Sequence, residues 1–103
     1  MNATKKEEFT RVQRVSDGKY NLINKQGKLL LKEWFKSVGC FYNGFSVVQR
    51  GYNQYNFIDK QVKLLSDEWF KSVDYFNKDG LARVKRTSGE QAKIDKNGKI
   101  VSE

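Results

Sequence analysis

The sequence predicts an all-β protein. Tandem antiparallel β-hairpin repeats of 35–36 residues are expected to form a small repeat sheet or solenoid, or a partly closed barrel. Three observations carry this expectation. The hexapeptide EWFKSV occurs twice, at residues 33–38 and 68–73. Apolar residues alternate with polar ones at a period of two, which puts successive side chains on opposite faces of a strand. Turn-forming pairs separate the alternating stretches: Asp17-Gly18, Asn43-Gly44, Asp79-Gly80, Ser88-Gly89 and Asn97-Gly98. Gly and Asn supply the positive φ that tight hairpins require.

At 103 residues the chain fits one domain, 1–103, with residues 1–8 as an N-terminal extension. Thr4 and Glu7 have capping-box spacing, a signal for a short helix there. The first unit, 9–44, opens with Phe9, and its strand-forming runs flank Asp17-Gly18. The second, 45–80, opens with Phe45. In its YNFID run, Tyr55, Phe57 and Asp59 face one side while Asn56 and Ile58 face the other. In SVVQR, Ser46, Val48 and Arg50 share a face opposite Val47 and Gln49. The third unit, 81–103, opens with Leu81 and stops before a third Trp-Phe element. Columns recur through the units: Val12, Val48 and Val84; Arg14, Arg50 and Arg86; Ile23, Ile58 and Ile94. In the stretch LLLKEWFKSV, Leu30, Leu31, Trp34 and Val38 also fall at helical spacing. Its β-branched and aromatic content and short length favour strand plus turn, with at most one helical turn at the Trp-Phe pair.

Apolar residues make up 38% of the chain and aromatic ones 14%, so a few large rings must supply most of a small core. The net charge of +8 favours polyanionic partners, although the basic residues are spread rather than blocked. Cys40 is the single cysteine, which excludes an intrachain disulfide and fits a reducing compartment. No apolar run reaches signal-peptide or membrane-span length, so a cytoplasmic setting without membrane contact is expected.

These residues resemble the WG repeat, a β-rich repeat of bacteria and their viruses. GLARV at residues 80–84 and GFSVV at 44–48 match its opening; YNFIDK, YNLINK and IDKNGK match its second stretch; FYNG and FNKDG match its close. The resemblance covers nearly everything from Phe9 onward. It implies a β-repeat scaffold used for binding and brings no catalytic residues. The name-giving Trp-Gly is Tyr20-Asn21, Tyr55-Asn56 and Gln91-Ala92 here. The turn glycine becomes Val62 in the second unit. A β-branched residue resists positive φ, so that turn is expected to be rebuilt or rotated.

No catalytic residue, cofactor or metal site is expected. The chain has no histidine, the commonest general base and metal ligand near neutral pH. Cys40 reads as a small, partly buried, inert thiol. Asp59 and Asp95, with Asn24 in the same slot, precede turns where their side chains can accept backbone N–H bonds. No aspartate-rich loop suits calcium. Arg14, Arg50 and Arg86 are expected to line up along the stack, either as a row that meets phosphates or carboxylates or as charges that solvate the strand ends. Arg11, Arg83 and Lys85 lie on the opposite face and widen the basic area. In Trp34-Phe35 and Trp69-Phe70 the adjacent rings point to opposite faces, so one enters the core while its neighbour stays near water. Tyr42, Tyr52 and Tyr75, near turns, are further contact candidates.

The sequence therefore predicts a non-enzymatic interaction module. The site residues it offers for a protein or protein–nucleic-acid partner are Arg14, Arg50, Arg86, Trp34, Phe35, Trp69, Phe70 and Tyr52. A virus-encoded inhibitor of a host enzyme fits the size. Non-specific nucleic-acid binding and glycan or cell-wall recognition are the alternatives. Open strand edges at the ends of the stack either close on the chain's own segments or mediate dimerisation or strand addition.

Overall fold

The computed structural model describes residues 9–101 as nine strands in three antiparallel sheets, with no helix among the described residues. The first sheet pairs β1 (Phe9–Gln13) with β2 (Tyr20–Asn24). The second has the order β3 (Ser37–Val38), β4 (Phe45–Gly51), β5 (Gln54–Asp59). The third runs β6 (Ser72–Val73), β7 (Leu81–Lys85), β8 (Gln91–Asp95), β9 (Ile100–Val101). No sheet closes into a barrel, so the architecture is the open repeat stack. Residues 30–38 hold one bridge, at Phe35, and a short strand, because both of their neighbours offer strand edges to pair with. The helix suggested by Thr4 and Glu7 and the strand-closing role of the N-terminal segment lie outside the described residues.

The repeated hexapeptide is the joint between hairpins. Phe35 exchanges two backbone bonds with Tyr20 of its own unit, at 2.9 and 2.7 Å; Phe70 does the same with Tyr55, at 2.8 Å each way. Two residues on, Ser37 and Val38 pair with Gln49 and Val48 of the next unit, and Ser72 and Val73 pair with Lys85 and Val84. Each copy is thus sewn to the hairpin before it and the hairpin after it. Both ends are constrained, which explains why the spelling recurs.

The turns behave as their residues demand. Asn43 and Gly44 take φ of 52° and 91°, positive at both central positions as a two-residue hairpin needs. Asn24, Asp59 and Asp95 each accept two backbone N–H bonds through Oδ1 at 2.9–3.0 Å, from Gln26 and Lys28, Gln61 and Lys63, and Asn97 and Lys99. The turn at Val62 is not rebuilt. Val62 adopts φ 64° and donates its N–H to the Asp59 carbonyl at 2.9 Å, as Gly27 and Gly98 do to Asn24 and Asp95 at 3.0 Å. The two Asp59 side-chain bonds hold the loop, and the isopropyl group packs against the core.

Two cores form, each shared by neighbouring units. Leu22, Phe35 and Val38 of the first unit bury Val48 and Ile58 of the second, with Trp69 and Val62 at the margin. Phe57, Phe70 and Phe76 of the second unit bury Ala82, Val84, Ala92 and Ile94 of the third. The middle sheet is therefore covered on both faces, Val48 and Ile58 on one and Val47 and Phe57 on the other. Ile23, Ile58 and Ile94 keep equivalent pairings, opposite Leu29, Leu64 and Ile100, but Ile58 and Ile94 are buried in the cores whereas Ile23 is only half-buried.

Asn21 and Asn56, which follow Tyr20 and Tyr55 in β2 and β5, are buried. Asn56 accepts the Phe57 N–H at 2.7 Å and donates to the Ser66 carbonyl at 2.8 Å. Asn21 accepts from Leu22 and Leu31 and donates to the Leu31 carbonyl. Each amide thereby ties its strand to the segment that leads into the joint, and among the described residues no buried side-chain nitrogen or oxygen lacks a partner.

Candidate functional site

The arginine column exists, and its guanidinium groups are engaged within the chain. Arg50 meets Glu33 through Nε and Nη2, at 3.1 and 3.2 Å, and lies over the Trp69 ring with Cζ 4.1 Å from the centroid. Arg86 meets Glu68 in the same two-pronged way at 2.8 and 2.9 Å, and Glu90 stands 3.8 Å away. Arg14 covers Trp34 at 4.4 Å and takes its carboxylate from Asp17 in its own turn, at 3.1 and 2.7 Å. These pairs are planar and bidentate, the geometry that suits guanidinium best. The hydrogen bonds from Arg14 hold the Asp17 carboxyl down at about 2, and the bond to Glu68 raises Arg86 above its ordinary value. A bulge between Gln49 and Gly51 marks Arg50 alone, for the equivalent hairpins of Arg14 and Arg86 keep regular register.

Each Trp-Phe pair splits as its strand geometry requires. Phe35 and Phe70 are buried, so they serve the core and present no ring to a partner. Trp34 and Trp69 are half-buried under arginines, and Trp69 packs 6.0 Å from Phe35 of the unit before it. Tyr52 stands apart at the β4–β5 turn, 86% exposed. The eight residues singled out from sequence thus form two stacked arginine–tryptophan pairs, one arginine held by Glu68, two core rings and one isolated tyrosine.

A different constellation is open to solvent. Tyr42 and Tyr75 are 55% and 59% exposed and meet edge to face with centroids 5.3 Å apart. They border a shallow groove of about 620 Å³ with Cys40, Phe41, Phe76 and Asn77. Asn43 locks its floor by donating across the unit boundary to the Phe76 carbonyl at 2.8 Å. Below it, Phe45 and Phe76 stack at 4.4 Å, so the rim stands on a rigid base. Cys40 is exposed at this groove rather than partly buried, because its segment runs along the rim before the Asn43-Gly44 turn. The tyrosines were legible singly but not as a pair. They sit at different positions of their units, so no column aligns them.

The outer face of the third sheet is cationic. Arg83 pairs across β7 and β8 with Lys93, and Lys85 projects from the same face. The counterparts of Arg83 and Lys93 in the second unit, Val47 and Phe57, are apolar and covered. Like charges directly opposite on a sheet are destabilising, so this face costs some stability. Among the described residues no group of three or more His, Cys, Asp or Glu gathers at metal-binding distance.

In comparison with known proteins, the model of the WG-containing repeat matches residues 22–53, from β2 through the first joint to the β4–β5 turn. No curated protein and no solved structure matches the chain. The matched segment is centred on EWFKSV, the piece that links one hairpin to the next. With the 35–36-residue period and the stacked hairpins, that match identifies residues 22–53 as similar to a WG-containing repeat.

Proposed function

We propose that the chain is a non-catalytic interaction module that holds a protein partner in the Tyr42–Tyr75 groove. The observation that carries this reading is the pairing of two half-exposed tyrosines over an apolar groove whose floor is fixed by packed phenylalanines. Tyrosine offers a large amphipathic surface at low entropic cost, and binding energy concentrates in such rigid aromatic anchors. The arginine column is left out of the site, since its charges are already met by Glu33, Glu68 and Asp17.

The test is affinity capture from the cells that produce the chain, comparing it with a Tyr42→Ser/Tyr75→Ser double variant. The reading expects a partner retained at high salt and lost with the double variant, while the thermal midpoint stays within a few degrees. Retention by the double variant overturns it. Trp69→Ala and Arg50→Glu are poor probes, because both disturb the packing between units.

A second reading, polyanion binding, is favoured by one observation: the Arg83, Lys85 and Lys93 face. Its signature is an affinity for duplex DNA that falls with salt at a log–log slope of about −0.9 per phosphate neutralised. Arg83→Gln/Lys93→Gln would remove it without touching the tyrosine groove.

A further inference from the structure

The chain displays twice how the outer edge of a repeat's first strand is used. On β4 and β7 an extended segment lies antiparallel, Ser37–Val38 opposite Gln49 and Val48, and Ser72–Val73 opposite Lys85 and Val84. One residue further, the amides of Gly39 and Asp74 donate to the Val47 and Arg83 carbonyls, both at 2.9 Å. Four residues before each serine, Glu33 or Glu68 grips the arginine that leaves the strand. Three recognition elements recur: a backbone edge, an apolar seat and an arginine.

The first unit has all three. Val12, Gln13 and Arg14 are the counterparts of Val48, Gln49 and Arg50. Among the described residues β1 pairs only with β2. Thr10 is exposed where Ser46 and Ala82 are buried, and Val12 is half-buried where Val48 and Val84 are buried. Arg14 turns to Asp17 of its own turn, whereas Arg50 and Arg86 meet Glu33 and Glu68 of the joint before them.

We propose that the outer edge of β1 takes an extended segment of a partner protein by strand addition. The segment carries a glutamate four residues before a small residue and a β-branched one, as in Glu-x-x-x-Ser-Val. The glutamate binds Arg14, the β-branched side chain sits on Val12, and the backbone pairs with Arg11 and Gln13. Backbone bonds give such additions affinity, and side-chain pockets give them register. The chain's own two copies of this motif are committed, because Phe35 and Phe70 anchor them in the cores. A second copy of the chain would have to unfold a joint to donate one, which favours a different protein. This inference is independent of the tyrosine groove.

The probe is a synthetic peptide copying residues 64–75, LLSDEWFKSVDY, added to the intact chain. Binding should slow amide hydrogen exchange at Arg11 and Gln13 by about ten-fold or more at saturation, since strand pairing protects those groups. A peptide with Gln in place of the glutamate, or the Arg14→Gln chain, should weaken binding about two- to five-fold, the range of an exposed ion pair. Asp17→Asn should tighten it by a similar factor, because it releases Arg14. A scrambled peptide should give no protection. The proposal fails if the peptide does not bind, or if it binds without protecting Arg11 and Gln13. It also fails if these amides are already as protected in the free chain as Val47 and Gln49, or if light scattering finds that the chain dimerises through this edge.

Discussion

Positions 27, 62 and 98 are one slot of one turn, filled by Gly, Val and Gly with φ of 84°, 64° and 84°. The three differ in what lies beside them. A Cβ on Gly27 would meet open space, whereas one on Gly98 would run into the Leu65 carbonyl of the preceding unit. Gly27→Ala should therefore cost only the left-handed backbone term, about 1 kcal/mol. Gly98→Ala adds overpacking against main chain and should cost about 3 kcal/mol or more by urea unfolding. Equal costs would deny the close approach between units. Asp17 offers a second single-residue test. Its folded pKa, about 2, lies below the ordinary 3.8, so its contribution is full above about pH 4 and is lost as pH falls through 2. Asp17→Asn should flatten the acid limb of the stability curve between those values and leave stability near pH 7 insensitive to small pH changes. An unchanged acid limb would mean that the Arg14 pair does not persist in solution.

At the scale of elements, what the sequence announced was local. Strands and hairpins were legible because alternation and Asn-Gly-type turns are properties of a few adjacent residues. The double engagement of EWFKSV was not, since it depends on which edges the neighbouring hairpins leave open. The carboxylate partners of the arginines had a signal, because Glu33 and Glu68 recur with the same period as Arg50 and Arg86. The buried amides of Asn21 and Asn56 had one too, a polar residue repeated mid-strand beside a tyrosine. Val62 ran against expectation because its own packing and two Asp59 bonds together hold a backbone that β-branching disfavours. Removing the ring that roots a joint should be severe. Phe70→Ala should cost about 3–5 kcal/mol, while Lys71→Ala, next along the same joint but exposed, should stay within about 0.5 kcal/mol. Chemical denaturation of the two variants decides this, and comparable losses would place the anchor elsewhere.

Across the whole molecule, each core is built from two consecutive units, so no hairpin owns the surface that stabilises it. The middle unit is apolar on both faces, and its neighbours complete it from either side. The slab measures 42 × 40 × 17 Å. Such arrays are governed by nearest-neighbour interfaces, and what each end exposes decides what else joins. Here the two ends are unlike. The first unit turns Val12 and Ile23 outward, half-covered, at the face that receives a preceding unit elsewhere in the chain. The third unit turns out Arg83 and Lys93 where the middle one has Val47 and Phe57.

That substitution of cations for a valine and a phenylalanine is expected to oppose end-to-end stacking of copies of this chain. Making Arg83→Val and Lys93→Phe together would give the molecule a greasy head fitted to its own tail, and a head-to-tail contact that does not close on itself propagates into fibres. Dynamic light scattering at increasing concentration should then report lengthening particles for the double variant and a constant size for the parent chain. Constant size for both would mean that some other feature keeps these molecules apart.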